Sequence, residues 1–177
     1  MKKKFSENLP VQLFFLCVTV FISRLPFLSA GFGSEEDAWL LPLTAKSIAL
    51  NGSYEMSRAP GHPLQELLYA LMYNNGLSAF ATNLISAIAS VIAAVFFALA
   101  LQNLNFKHYL FAAFAFAFTP AIFIASTYTI DYIPAIAFVM GSFYFITLPP
   151  LSPPKGEKPG HAFPPLGGGI GWGGNVI

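Results

Sequence analysis

Cysteine, charge and any basic surface are what this chain of 177 residues has least of. Its single cysteine, Cys17, lies inside an apolar run, which leaves no disulfide framework and no cysteine-based metal site. Charged residues make up 10% and hydrophobic residues 55%, and the mean hydropathy is +0.62. An ordinary soluble domain is far more charged. A net charge of +1 supplies no basic face, so nucleic acid is excluded as a partner. The run Gly167-Gly168-Gly169 lacks the Lys-Ser/Thr ending and the preceding strand of a phosphate loop. The class that remains is an all-α, polytopic membrane protein.

Apolar runs fill most of the sequence. Residues 9–30 follow Met1-Lys2-Lys3-Lys4, and about 20 residues at 1.5 Å each cross a hydrocarbon core of roughly 30 Å. Bulky Phe21, Ile22 and Leu25 persist where a signal peptide has small residues at its cleavage site, which favours an uncleaved helix. Arg24, near its far end, either snorkels to the interface or meets an acid or an anionic ligand. Further spans are read at 78–101, where Ala and Ser suit close helix packing, at 109–126 and at 132–148. The last two read as a helical hairpin closed by the segment STYTID.

The fold expected is therefore about four transmembrane helices with one long loop of juxtamembrane amphipathic helices. Lys107 and His108 lie in the connection after the second span. The positive-inside rule puts them on the cytoplasmic side with the N-terminus. Residues 31–77 and 127–131 then share the external face of a multi-pass protein of the inner (plasma) membrane. Residues 1–148 form the membrane domain. The tail, 149–177, holds half of the chain's 14 prolines and is predicted to be disordered. Its abrupt start after a membrane helix suggests a disrupted reading frame.

The 31–77 loop carries Glu35, Glu36, Asp37, Glu55 and Glu66 against only Lys46 and Arg58, and any polar chemistry is concentrated there. A helix from about Glu35 to Leu50 is expected, with Ser34 as N-cap and acids in the first turn, where the helix dipole favours them. Trp39, Leu40, Leu43, Ile48 and Leu50 would lie on the membrane surface, with Asn51-Gly52 ending the helix. Pro60-Gly61-His62-Pro63 fixes a bend, and a short helix follows from Leu64 to Tyr73.

The segments RLPFL, EEDAW and NGSYEMSRAPGHPLQELLYAL, with TPAIFIASTYTIDYIPAIAF later, resemble the amino-terminal part of GT-C membrane glycosyltransferases. The likeness is to the protein O-mannosyltransferase-like branch, which uses polyprenyl-phosphate sugars, and it covers roughly residues 9–148. It implies transfer of a sugar from a lipid-phosphate carrier to an acceptor at the external membrane face. Asp37, with Glu36 second, aligns with the catalytic carboxylate that takes the acceptor's proton. Arg58 would meet the departing phosphate, with His62 assisting, and Asp131 matches the position of a second acidic site that contacts donor or metal in some members. A divalent cation is compatible with the family and not required by it; the metal ligands are left unassigned.

Each residue has a plainer role. The three acids also suit the first turn of a surface helix, Arg58 an ion pair with Glu55 or Glu66, His62 a turn, and Asp131 an N-cap. GT-C enzymes have many more membrane helices than four, so the chain is expected to be inactive alone. The competing class is a small non-enzymatic membrane protein whose acidic loop serves interaction or assembly. A transporter ranks last, because the second and third spans carry little polarity beyond Asn83 and scattered Ser.

Overall fold

Pro10 opens the first helix, α1 (Leu9–Arg24), in the first turn, where a missing N–H costs no helix hydrogen bond. A 3₁₀ turn, Leu25–Phe27, continues it. The structure, a computed structural model, describes residues 8–73 and 75–148. Among these it has α2 (Glu36–Asn51), α3 (Pro63–Tyr73), α4 (Ala79–Asn103), α5 (Tyr109–Ala117), α6 (Pro120–Ala125) and α7 (Tyr132–Ile146), and no strand. The triple lysine and the tail from Pro149, predicted disordered, lie outside the described residues.

Two helical stretches are long and apolar enough to cross a membrane: Leu9–Phe27 and Ala79–Asn103. The apolar segment read as a third span is divided in two. Phe118 and Thr119 separate α5 from α6, because Pro120 has no N–H to continue the ladder and disfavours helix in the residue before it. The last helix, α7, has 15 residues, about 22 Å of rise.

The centre of the fold is α4. Its Ala89 and Ala93 meet Ile133 and Ala137 of α7, and Gly141 faces Phe96; small residues let the two backbones come close. A second face of α4, with Ala94 and Ala98, packs on Leu16 and Val20 of α1 and on Ala113 and Ala117 of α5. The hairpin expected of the last two spans is thus corrected: α7 lies along α4 rather than along α5.

The remaining pair, α2 and α3, packs through Leu41, Ala45, Ile48, Tyr69 and Ala70. Burying Leu41 and Ile48 is worth roughly 1.5–3 kcal/mol each. Trp39, Leu43 and Leu50 are exposed, but Ile48, expected on the surface, faces α3. Glu35, not Ser34, holds the N-cap position of α2, without a side-chain bond. Gly52 closes the helix at φ 66°, a left-handed conformation that glycine adopts without steric cost.

Arg24 neither snorkels nor meets a carboxylate. It is fully buried, its Nε donates to Ser126 Oγ at 3.0 Å and its Nη1 to Ser23 Oγ at 2.6 Å. Its Nη2 donates to the carbonyl of Ala117, at the C-terminal end of α5 where the helix dipole favours a cation. The guanidinium also lies over the rings of Phe118 and Phe123, 5.0 and 4.3 Å from their centroids.

Candidate functional site

Three connections are brought together above one end of α4. Asn83, buried in α4, donates through Nδ2 to the carbonyls of Leu28 at 2.9 Å and Gly31 at 2.7 Å. Its Oδ1 accepts from Thr129 Oγ1 at 2.8 Å. The Thr129 N–H in turn donates to Phe32 O at 2.8 Å. One amide therefore ties the chain entering α2 to the chain entering α7. Gly33 completes the fit at φ 136°: a Cβ there would lie 2.8 Å from Tyr128 Cδ2 and 2.9 Å from Ala38 Cβ, distances no side chain tolerates.

The third connection, between α2 and α3, is held by Glu66. This carboxylate is fully buried; Tyr54 Oη donates to Oε2 at 2.6 Å, and Ser57 donates to Oε1 from its N–H at 2.8 Å and from Oγ at 2.6 Å. Burial alone would raise its pKa, but the Ser57 and Tyr54 hydrogen bonds outweigh burial and hold it below the ordinary glutamate value. The same bond pushes the exposed Tyr54 phenol upward. With Ser57 fixed, the next residue, Arg58, is aimed across the gap between α2 and α7.

Arg58 joins the two acids. Its Nη1 pairs with Asp37 Oδ2, and its Nη2 donates to both carboxylate oxygens of Asp131, each at 2.8 Å. The Tyr132 ring lies 5.5 Å from the guanidinium carbon, and Tyr132 Oη donates to Asp37 Oδ2 at 3.4 Å. Burial works to lower the Arg58 pKa, and the hydrogen bond and charge of Asp131 reverse it, so the group is held above its ordinary value and stays charged.

His62 Nε2 sits 3.1 Å from Asp131 Oδ2 and 3.4 Å from Arg58 Nε, which donates toward it. The ring nitrogen thus stands between the Asp131 carboxylate and the Arg58 guanidinium. Asp131 side-chain exposure is 9%, against 27% for Arg58, 31% for Asp37 and 29% for His62, so the cluster is anchored at Asp131 and open at Asp37.

Of the residues singled out from sequence, Asp37, Arg58, His62 and Asp131 meet within this cluster. Glu36 is exposed, with no hydrogen bond from its carboxylate among the described residues, and stands apart. Arg58 pairs with neither Glu55 nor Glu66. Asp131 occupies the N-cap position of α7 but makes no capping bond, its oxygens being taken by Arg58 and His62. Tyr132, Tyr128, which donates to Glu35 Oε1 at 3.2 Å, and the Glu66 anchor were not anticipated. The neighbouring tyrosines of TYTIDY were the available signal.

The arrangement can do three things chemically. Asp37 offers an accessible base, Arg58 a fixed positive charge, and Asp131 with His62 a hydrogen-bonded acceptor pair. Among the described residues no three His, Cys, Asp or Glu side chains are grouped to hold a metal ion; the positive charge between Asp37 and Asp131 is Arg58. No family model matches the chain, and no curated protein or solved structure matches it.

Proposed function

We propose that the chain carries the catalytic loop of a GT-C type glycosyltransferase, which moves a sugar from a polyprenyl-phosphate carrier to an acceptor at the external membrane face. The observation that carries this reading is the union of Asp37, Arg58 and Asp131, which lie far apart in sequence, in one partly open cluster. Asp37 accepts the proton of the acceptor hydroxyl as its oxygen attacks the anomeric carbon. The bond from that carbon to the phosphate oxygen breaks, and the carrier phosphate leaves with the electron pair. Arg58 meets that phosphate, and in moving toward it releases Asp37. Asp131 and His62 hold the emptied side of the cluster. Glu36, exposed and apart from the cluster, is the second candidate for the same base.

In this proposal four apolar segments cross the inner membrane, with the N-terminus and Lys107 on the cytoplasmic side and the cluster outside. Large apolar side chains exposed on α1 and α7, among them Phe14, Phe15, Phe138 and Phe145, support lipid contact. The test follows sugar transfer from a panel of polyprenyl-phosphate sugars in membranes holding this chain, and in membranes holding any longer product of the same locus. Because family members use more helices, transfer is expected from the longer product. Failure of both across the panel would remove the enzyme reading. It would advance the alternative, an interaction or assembly protein, for which the exposed Trp39, Tyr54 and Met56 are the supporting surface.

A further inference from the structure

The end of the molecule opposite the cluster has the opposite charge. Tyr109 Oη donates to Gln12 Oε1, which joins the start of α5 to the first turn of α1. Asn103 Nδ2 donates to Thr147 Oγ1 at 3.3 Å, which joins the end of α4 to the end of α7. Four helix ends therefore meet there. The sequence that enters, links or leaves them carries Lys2, Lys3, Lys4, Lys107, Lys155 and Lys158 against Glu7 and Glu157. Every other acid lies in α2, α3 or the connections at the cluster end.

A groove of about 790 Å³ opens at this basic end, a volume in the ligand-binding range. Phe97 of α4 backs it, Phe111, Ala115 and Phe116 of α5 run along it, and Phe106 and His108 stand at its head. The Phe97 and Phe116 rings meet at 5.0 Å between centroids, and Phe111 is 76% exposed. From His108 to Phe116 the groove follows α5 for about 12 Å. Lys107 and His108 are both exposed, and their connection, QNLNFKHY, holds no acid. His108 makes no side-chain hydrogen bond among the described residues, and its ring has an N–H to donate in either protonation state. An apolar slot with a cation and a free donor at its head is complementary to an amphiphile with an anionic head.

We infer that this groove seats an anionic phospholipid, one acyl chain along α5 and the phosphate at Lys107 and His108. The site rests on the membrane placement proposed above, with this end cytoplasmic, and not on sugar transfer. A seated lipid covers Phe111 and holds the connection between α4 and α5 at the membrane surface. Arg58 is at the other end, so the carrier phosphate and this lipid do not compete.

The experiment is photolabelling of the full chain in phosphatidylcholine nanodiscs, with labelled residues mapped by mass spectrometry. Two trace probes share the same diazirine-bearing chains; one has a phosphatidylglycerol head and the other a phosphatidylcholine head. The anionic probe is expected to label Phe97, Phe111 and Phe116 about fivefold more than the zwitterionic one. Both should label the exposed Phe14 of α1 and Phe138 of α7 alike. Lys107→Glu should bring the ratio in the groove to about one, and Lys107→Arg should keep it. Ala115→Trp, at an exposed lining position, should suppress labelling of the groove and leave Phe14 and Phe138 unchanged. Equal labelling of the groove by both probes in wild type would mean bulk lipid only and overturn the inference, as would a ratio that survives Lys107→Glu. Inorganic phosphate at the probe's concentration should displace nothing; displacement would make this an anion site without a lipid seat. If neither probe labels Phe14 or Phe138, the chain is outside the bilayer, and the membrane placement falls together with the site.

Discussion

Arg24 and Arg58 are each held by several partners, and the partners differ in kind. Arg24 is fully buried and meets a carbonyl, two hydroxyls and two aromatic faces. Among the described residues no carboxylate balances it. Arg58 is part-exposed and meets two carboxylates, an imidazole and a tyrosine ring. Neutral partners fixed to the backbone suit a joint: Arg24 secures the break between α5 and α6, and nothing dissolved can replace them. Carboxylates beside solvent suit exchange, because an incoming anion competes for the same guanidinium.

The comparison can be broken by substitution. Arg24→Ala leaves the Ala117 carbonyl unpaired inside the protein and removes contacts with two rings. We expect a loss of about 3–5 kcal/mol in thermal or denaturant unfolding in detergent; a loss under about 1 kcal/mol would mean that the α5–α6 joint does not depend on it. Arg58→Ala should cost less, about 1–3 kcal/mol, since Asp37 can turn to solvent and only Asp131 is left shielded. If Arg58→Ala proved the more destabilising, the division between joint and site would be reversed.

The smallest effect concerns Glu66 and is read against pH. Its folded pKa lies below the unfolded value, so its stabilisation is present above the unfolded pKa and fades as pH falls through the lower folded one. Wild type should therefore lose stability below about pH 4 in a step that Glu66→Gln lacks. Parallel curves for the two proteins would show that the Tyr54 and Ser57 bonds do not favour the charged form. Arg58 gives no such step in this range, since its pKa is raised from a value already far above it.

Much of this was legible from residue type and order. The α2 boundary at Gly52, the start of α3, expected at Leu64 and found one residue earlier at Pro63, and the length of α4 follow from local chemistry: a glycine that tolerates positive φ, a proline that needs no N–H, and an unbroken apolar run. Asp37, Arg58, His62 and Asp131 were picked out through the resemblance of their segments to GT-C sequences, in a chain where polar residues are scarce. Their meeting was not readable from local pattern, because it depends on Asn83 bridging the two chain segments and on Glu66 turning the loop. The break at Pro120 was available in the sequence; the apolar count from Tyr109 to Ser126 hid it. Pairing of α7 with α4 rather than α5 is a packing outcome of small residues on both helices, and hydropathy is blind to it.

Sugar transfer by Asp37→Asn tests the central claim most directly, because the change keeps the shape of the side chain and removes its basicity. It is measured beside wild type, in whichever product of the locus transfers sugar, with membrane insertion and unfolding temperature checked on the same samples. The account expects transfer to fall by about 10²–10⁴-fold with insertion unchanged and stability altered by no more than about 1 kcal/mol. Transfer at the wild-type rate in a correctly inserted Asp37→Asn protein would contradict it and return the cluster to a purely structural role.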